Sequence, residues 1–371
     1  MGSISHPRPV DLLLGADIYS LILLDGICRG DQVSPIAQNT QLGWILSGIN
    51  KTLQCNIVLN NIEQIQKFWE IEDISEESSM SSADQQCIEY FKQTTSRRDD
   101  GRYVVRLPMK SNFDKNLGSS KGKAFAQFRS LERKFQQQEN LEKDYKLFMR
   151  EYQLLGHMKP ATSNTKPECY MTHHCVQRIE SITTKFRVVF NASVKTSSGH
   201  SLNDVMQCGP NLQQDLQSLL IRWRQYQFAF TADIEKMFRQ IWVHEDDQPL
   251  QKIIWRDTTD EPIKEFQLTT VTYGTKSAPF LAMMTLKQLA SDEKHNYKQA
   301  ADVLDRSFYM DDLLDGSHTI EEAKKLHNDL IKLLKSGGFN LRKWRSNIPE
   351  LSDQNINNIN KLQIPRWIYT K

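Results

Sequence analysis

Apolar positions along this chain follow two periods. Between Lys121 and Leu155, Phe125, Phe128 and Phe135, and then Leu141, Tyr145, Phe148 and Tyr152, recur in a largely helical pattern that Gly156 stops. Ile320 to Lys335 is amphipathic, with Ala323, Leu326, Leu330, Leu333 and Leu334 on or near one face and Gly337-Gly338 at its end. Shorter helices are expected from Ser82 to Thr94 and from Asn211 to Trp223. Another should start near Pro279 and continue through Phe280, Leu281, Met284 and Leu286 to about Ser291. Other stretches follow the strand period. Tyr226 to Asp233 alternates aromatic and small residues and ends on an acid, and Arg239 to Val243 reads as its return strand. Tyr103 to Pro108 reads as a strand with a turn. Ser307 to Met310 and Leu313-Leu314 read as two short strands, the second stopping at Asp315-Gly316, with Asp311 and Asp312 at the tight turn between them. The order strand, helix, strand-turn-strand, helix predicts an α+β fold.

Asp311 and Asp312 are adjacent carboxylates, which repel and call for a neutralising cation. A hard divalent metal held by oxygen ligands is the natural remedy. Asp233, at the end of a separate strand, supplies a third carboxylate. Carboxylates converging from separate elements are what two-metal phosphoryl transfer requires.

Tyr309-Met310-Asp311-Asp312 resembles the signature of reverse transcriptases. Tyr273 to Phe280 is similar to that family's template-and-nucleotide-binding loop and helix, with Gly274 permitting close backbone approach and Ser277 a candidate cap. Ile182 to Ser193 resembles its fingers hairpin. The resemblance narrows to Pao/BEL long-terminal-repeat retrotransposons on Gly101–Pro108, Tyr152–His157, Met171–Val176, Thr183–Ser193 and Gly338–Asn347. It implies right-hand polymerase fingers and palm, and RNA-directed DNA polymerisation. The substrates would be primer–template RNA or DNA and deoxynucleoside triphosphates, with two Mg²⁺ ions or Mn²⁺ as cofactor. Asp233, Asp311 and Asp312 are then the catalytic and metal-binding set. Arg187 stands where the family holds the triphosphate, with Lys185 and Arg178 as weaker candidates for the same anion. Tyr273 and Gly274 would lie against the nucleotide. Phe238, five residues after Asp233, matches the ring that excludes a ribose 2′-hydroxyl, or else it is a core phenylalanine. Lys343, in competition with Arg342, matches the family's proton donor to pyrophosphate.

A second resemblance covers the N-terminus. Val10–Asp17 and Thr40–Gly48 look like the end of a retropepsin-like protease. The Asp-Thr/Ser-Gly turn that such a protease needs is missing, and neither Asp17 nor Asp25-Gly26 replaces it. The expected organisation is therefore a β-rich protease remnant over residues 1–50 and a linker over 51–86, acidic and serine-rich from Glu72. A helical polymerase extension over 87–170, fingers and palm over 171–347 and a truncated tail over 348–371 follow. After Asn347 only 24 residues remain, which raises an alternative: a truncated nucleic-acid-binding remnant that polymerises weakly or not at all.

Net charge is only +2, but its distribution is uneven. From Arg97 to Arg150 there are 14 Lys and Arg against 7 Asp and Glu, whereas Lys51 to Ser96 holds 3 against 8. The basic excess suits either a phosphate backbone or a solvated helix face. Six cysteines without a CxxC pair read as free thiols in a reducing compartment, which suits the cytoplasm; the retrotransposon resemblance also implies a virus-like particle as a location. Cys169, His173, His174 and Cys175 have spacing that fits neither a zinc knuckle nor a finger. No run of 18 apolar residues offers a membrane span.

Overall fold

A computed structural model describes residues 22–28, 36–41, 43–47, 80–161, 167–177 and 186–353. Lys185, Arg178, the Val10–Asp17 run, residues 51–79 of the expected linker and the tail from residue 354 lie outside the described residues. The chain divides into two compact units, residues 1–79 and 80–371. In the first, β1 (Leu23–Cys28), β2 (Ile36–Thr40) and β3 (Gly43–Ser47) form an antiparallel sheet in that order.

The second unit opens with α1 (Ser82–Thr94), which Ser81 caps through a bond from the Asp84 N–H. β4 (Ser96–Arg97), β5 (Tyr103–Val105) and the short α2 (Phe113–Asn116) follow. The long helical stretch is two helices, α3 (Lys121–Gln137) and α4 (Glu139–Leu154), broken at Gln138. Within each helix the buried residues keep steps of three or four: Ala124, Phe128, Leu131 and Phe135, then Leu141, Tyr145, Met149 and Tyr152. The step from Phe135 to Leu141 is six, so one straight helix would rotate the second set off the first set's face. The break lets both faces reach one aromatic cluster. Phe135 meets Tyr145 at 5.3 Å, and Tyr145 stacks on Trp255 at 5.4 Å. Such pairs contribute about 0.5–1.5 kcal/mol each beyond their burial.

β6 (Met158–Pro160), β11 (Lys252–Trp255) and β12 (Lys264–Leu268) form a three-stranded sheet in the order β11-β12-β6. β7 (Thr172–Gln177) pairs antiparallel with β8 (Phe186–Asn191); only β8 lies in the stretch expected to form a hairpin, Ile182 to Ser193. His173 of β7 is buried with both ring nitrogens engaged, Nδ1 with the Tyr145 hydroxyl at 2.5 Å and Nε2 with the Ile254 carbonyl at 2.9 Å. It is a core histidine.

Then come α5 (Leu202–Val205), α6 (Leu216–Arg224), β9 (Phe228–Ile234) and β10 (Trp242–Val243). The last stretch holds α7 (Ala278–Glu293), α8 (Lys298–Arg306), β13 (Phe308–Tyr309), β14 (Asp312–Ser317), α9 (Ile320–Ser336) and β15 (Leu341–Ser346). The central sheet has the order β13-β14-β9-β15, with β9 hydrogen-bonded on both sides. α9 packs its leucine face under this sheet, burying Leu326, Leu330, Leu333 and Leu334.

Two strand expectations are corrected. Arg239 to Val243 is not a return strand. Met237–Gln240 is a 3₁₀ turn, entered through Lys236 at φ 51°, and only Trp242 and Val243 are extended. Those two pair in parallel with Val104 and Val105 of β5 rather than with β9. β14 also does not stop at Asp315-Gly316 but runs on to Ser317.

Candidate active site

β9 is apolar on its buried positions and ends on Asp233-Ile234, so the sheet carries its acid to one edge. Asp312, the first residue of β14, lies directly across from Asp233. The Asp311 carbonyl accepts the Ile234 N–H at 2.8 Å, which locks the hairpin turn to the end of β9. Met310 sits in that turn at φ 55°. A non-glycine residue there carries strain of about 1–3 kcal/mol, held in place by the hairpin bonds around it.

The three acids are thus brought to one end of one sheet. Desolvation raises the Asp311 pKa, with the charge on Asp233 adding to it. For Asp312, desolvation and then the charges on Asp311 and Asp233 act in the same direction. Among the described residues no three His, Cys, Asp or Glu side chains close into a metal-holding cluster. The counter-charge comes from Lys343. β15 pairs with the other edge of β9, and its register shifts between Arg342 and Arg345. At this bulge Lys343 takes φ 56° and its Nζ reaches the Asp233 carboxylate at 3.0 Å. Arg342 turns to Glu235 at 2.7 Å instead, so of the two competing cations only Lys343 bonds the acid set.

A second group of residues comes from the β7–β8 hairpin and the loop before α7. Arg187 is exposed on β8 and makes no ion pair among the described residues, and its charge acts on both Asp311 and Tyr273. The Tyr273 hydroxyl donates to the Val188 carbonyl at 2.6 Å, and its ring meets Phe190 at 5.6 Å. Burial pushes its pKa up to about 12. Gly274 has φ 97°, and a Cβ there would lie 2.5 Å from the Phe190 carbonyl oxygen. Its backbone approach is therefore to β8. Pro279 occupies the first turn of α7 as expected, but Ser277 does not cap it, since the Ser277 hydroxyl points to the Met206 sulfur at 3.0 Å. Phe238 lies in the 3₁₀ turn after β9, partly buried against the core.

Asn203 escaped the sequence reading here, and Asp315 entered it only as a strand stop. Asn203 ties the loop to the hairpin end. Its amide donates to the Gly274 carbonyl at 3.0 Å and to Ser193 at 2.8 Å, and its oxygen accepts the Lys276 N–H at 2.8 Å. The Ser201…Asp204 capping box around it was the available signal. Asp315 is buried inside β14, where burial raises its pKa while the Ser307 hydroxyl and the Gly316 N–H at 2.7 Å donate to it.

A family profile described as reverse transcriptase (RNA-dependent DNA polymerase) matches residues 159–348, just over half of the chain. This chain belongs to the reverse transcriptase family. The match takes in Arg187, the loop at Gly274, all three acids and Lys343. The chain is also similar to two solved structures of a foamy viral protease-reverse transcriptase. One, described as dRH and in complex with double-stranded DNA, is 17% identical with a TM-score of 0.39, over 51% of this chain and 28% of that one. The other, in complex with an RNA/DNA hybrid, is 17% identical with a TM-score of 0.39, over 52% of this chain and 22% of that one. This reverse transcriptase chain thus spans about a quarter of the length of those it matches. No curated protein matches it. Among the described residues no helix is long and apolar enough to cross a membrane.

Proposed function

We propose that this chain carries the fingers and palm of an RNA-directed DNA polymerase from a Pao/BEL-type long-terminal-repeat retrotransposon. It would extend a primer on an RNA or DNA template from deoxynucleoside triphosphates. The observation that supports this most is the convergence of Asp233, Asp311 and Asp312 at one end of the central sheet, within the matched family region.

The donor chemistry fits two Mg²⁺ ions, with Mn²⁺ as a substitute. All three side chains are hard oxygen donors, and their mutual repulsion is what a divalent cation relieves. Asp233 and Asp311 would hold the ions, with Asp312 completing the set. When bound, the ions supply charge stabilisation at the transferring phosphoryl group and favour ionisation of the attacking hydroxyl. Arg187, exposed and without an ion pair among the described residues, offers a planar fork for bidentate bonds to the triphosphate. Lys185 would act on the same anion. Tyr273 and Gly274 form the wall between the hairpin and α7 against which the nucleotide rests. Phe238 supplies the ring that excludes a 2′-hydroxyl. Lys343, bonded to Asp233 of the acid set, would donate the proton as pyrophosphate leaves.

In the same reading residues 1–50 are the end of a retropepsin-like protease and 51–86 a linker. Residues 87–170 form a helical extension, 171–347 the fingers and palm, and 348–371 a tail. Primer extension with Mg²⁺, comparing the parent with Asp233→Asn, tests the proposal. Extension that survives the substitution would refute it.

A further inference from the structure

The Tyr152–His157 stretch, where α4 ends and turns at Gly156, is joined to the turn that carries Phe238. Lys236 and Arg239 flank Met237 and Phe238 in that turn, and the Arg239 N–H closes it on the Lys236 carbonyl at 2.8 Å. One carboxylate oxygen of Glu151, on α4, bonds both flanking cations: Lys236 Nζ at 2.5 Å and Arg239 Nη2 at 3.1 Å. Arg239 is buried, and its Nε donates to His157 Nδ1 at 2.8 Å. Its guanidinium also lies over the Tyr152 ring at 4.2 Å.

A guanidinium can only donate, so His157 must be neutral with its proton on Nε2. Burial and then the Arg239 charge hold the His157 pKa down to about 4, which keeps that tautomer present at neutral pH. The backbone of His157 is fixed as well. Its backbone N–H donates to the Tyr152 carbonyl at 2.9 Å, and its backbone carbonyl accepts the Thr269 N–H at 3.1 Å. The turn therefore cannot shift relative to α4 without breaking charge-assisted bonds, each stronger than a neutral one.

We infer that Glu151, Arg239 and His157 are positioning residues for sugar selection: they clamp the Phe238 turn and so set the discrimination between deoxy- and ribonucleotides. This rests on the reading of Phe238 as the ring that meets the sugar. A ring rejects a hydroxyl only if it cannot yield, and the side chain of Phe238 is only partly buried. The rigidity must come from the backbone that carries it, and the three side chains fix that backbone at both ends of the turn.

The test is single-nucleotide incorporation by the full chain on a primer–template, giving the ratio of kcat/KM for dATP over ATP. Parent, Glu151→Gln, Arg239→Lys and Phe238→Ala are compared. Glu151 is about half exposed, so Glu151→Gln leaves the core intact, and a thermal midpoint near the parent's confirms it. Glu151→Gln and Arg239→Lys are expected to lower the ratio by roughly tenfold, through a gain for ATP. A merely structural defect would slow both nucleotides alike and leave the ratio unchanged. If Phe238→Ala lowers the ratio while the other two keep the parent value, the clamp is overturned and the Phe238 reading stands. If none of the three moves it, both are overturned.

Discussion

Lys343 and Asp233 lie on neighbouring antiparallel strands, and the ammonium of one sits 3.0 Å from the carboxylate of the other. The contact depends on a left-handed backbone at Lys343, which turns its side chain out of the regular strand alternation. With about half of the Lys343 side chain exposed, the pair adds little to stability. Its importance is electrostatic. Burial, and after it neighbouring carboxylate charge, raises Asp311 and Asp312, and Lys343 opposes that rise at both. The sheet thus concentrates negative charge at one end and carries only partial compensation for it.

Replacing a member of this acid set should abolish nucleotidyl transfer. Asp233→Asn and Asp311→Asn each keep the shape of the side chain and remove its charge. Losing a metal-binding carboxylate removes several kcal/mol of charge stabilisation, and each 1.36 kcal/mol is about tenfold in rate. Primer extension in Mg²⁺ measures this, and a variant retaining a tenth of the parent rate would sink the assignment.

Gly274→Ala should destabilise the protein by about 2 kcal/mol or more. The added Cβ meets the Phe190 carbonyl, which is backbone and cannot swing away, at a φ that L-residues rarely adopt. The thermal midpoint and nucleotide affinity should fall together, because this loop seats Tyr273 on β8. An unchanged midpoint would mean the loop relaxes away from the hairpin.

The acid set was legible in the sequence because its causes are local. An alternating strand ending on Asp233 and two short strands around a tight turn need no distant partner to be recognised. The failures come either from a distant partner or from a local backbone conformation that the apolar pattern does not show. Trp242 and Val243 pair with Val104 and Val105, far away in the chain, so nothing near Arg239–Val243 announced that the strand partner was β5. Lys236, at positive φ, diverts the chain before a return strand can form. Asp315 looked like a strand terminator because it is charged, yet a hydroxyl from Ser307 lets it stay inside β14. The choice between Lys343 and Arg342 was set by a bulge that no periodicity shows.

Stability should depend on two buried histidines below neutrality. Burial pushes the pKa of His157 and of His173 down to about 4, helped at His157 by Arg239, against a usual value near 6.5. Between those values the unfolded chain binds protons that the folded chain does not. Stability therefore rises with pH across that window, and this contribution is lost as pH falls through about 4. Each histidine contributes on the order of 3 kcal/mol above pH 6.5. Urea midpoints from pH 4 to 7 should climb less steeply in His157→Gln, which keeps an acceptor for Arg239. Equal slopes in parent and variant would rule out a role for His157.

Deleting residues 1–70 should leave nucleotide binding and any polymerase activity unchanged. The acids, Arg187 and the loop at Gly274 all belong to the unit that begins at residue 80. Activity of the shortened chain per folded molecule is the measurement, and a fall in it would give the first unit a direct part in synthesis.

Primer–template binding should weaken with salt, but less steeply than the basic excess between Arg97 and Arg150 suggests. Seven of those 14 cations are paired with acids within the protein. Arg97 pairs with Glu293; Arg98 and Arg102 with Asp100; Arg106 with Asp246 and Asp247. Lys121 pairs with Glu265, Lys146 with Glu142 and Arg150 with Asp257. Among the described residues Lys110, Lys115, Lys123, Arg129, Arg133, Lys134 and Lys143 have no such acid. Each cation that neutralises a phosphate contributes about −0.9 to the slope of log affinity against log salt, so this segment can supply a slope of at most about −6. Fluorescence anisotropy with a labelled duplex over a salt series gives the slope directly. Charge removal at Arg129 and Arg133, whose cations are uncommitted, should flatten it by about 2 if both reach phosphate. The same change at Arg97 and Arg106 should leave the slope nearly unaltered and lower the thermal midpoint instead. A steeper loss from the paired set would mean that nucleic acid draws those cations away from their internal partners.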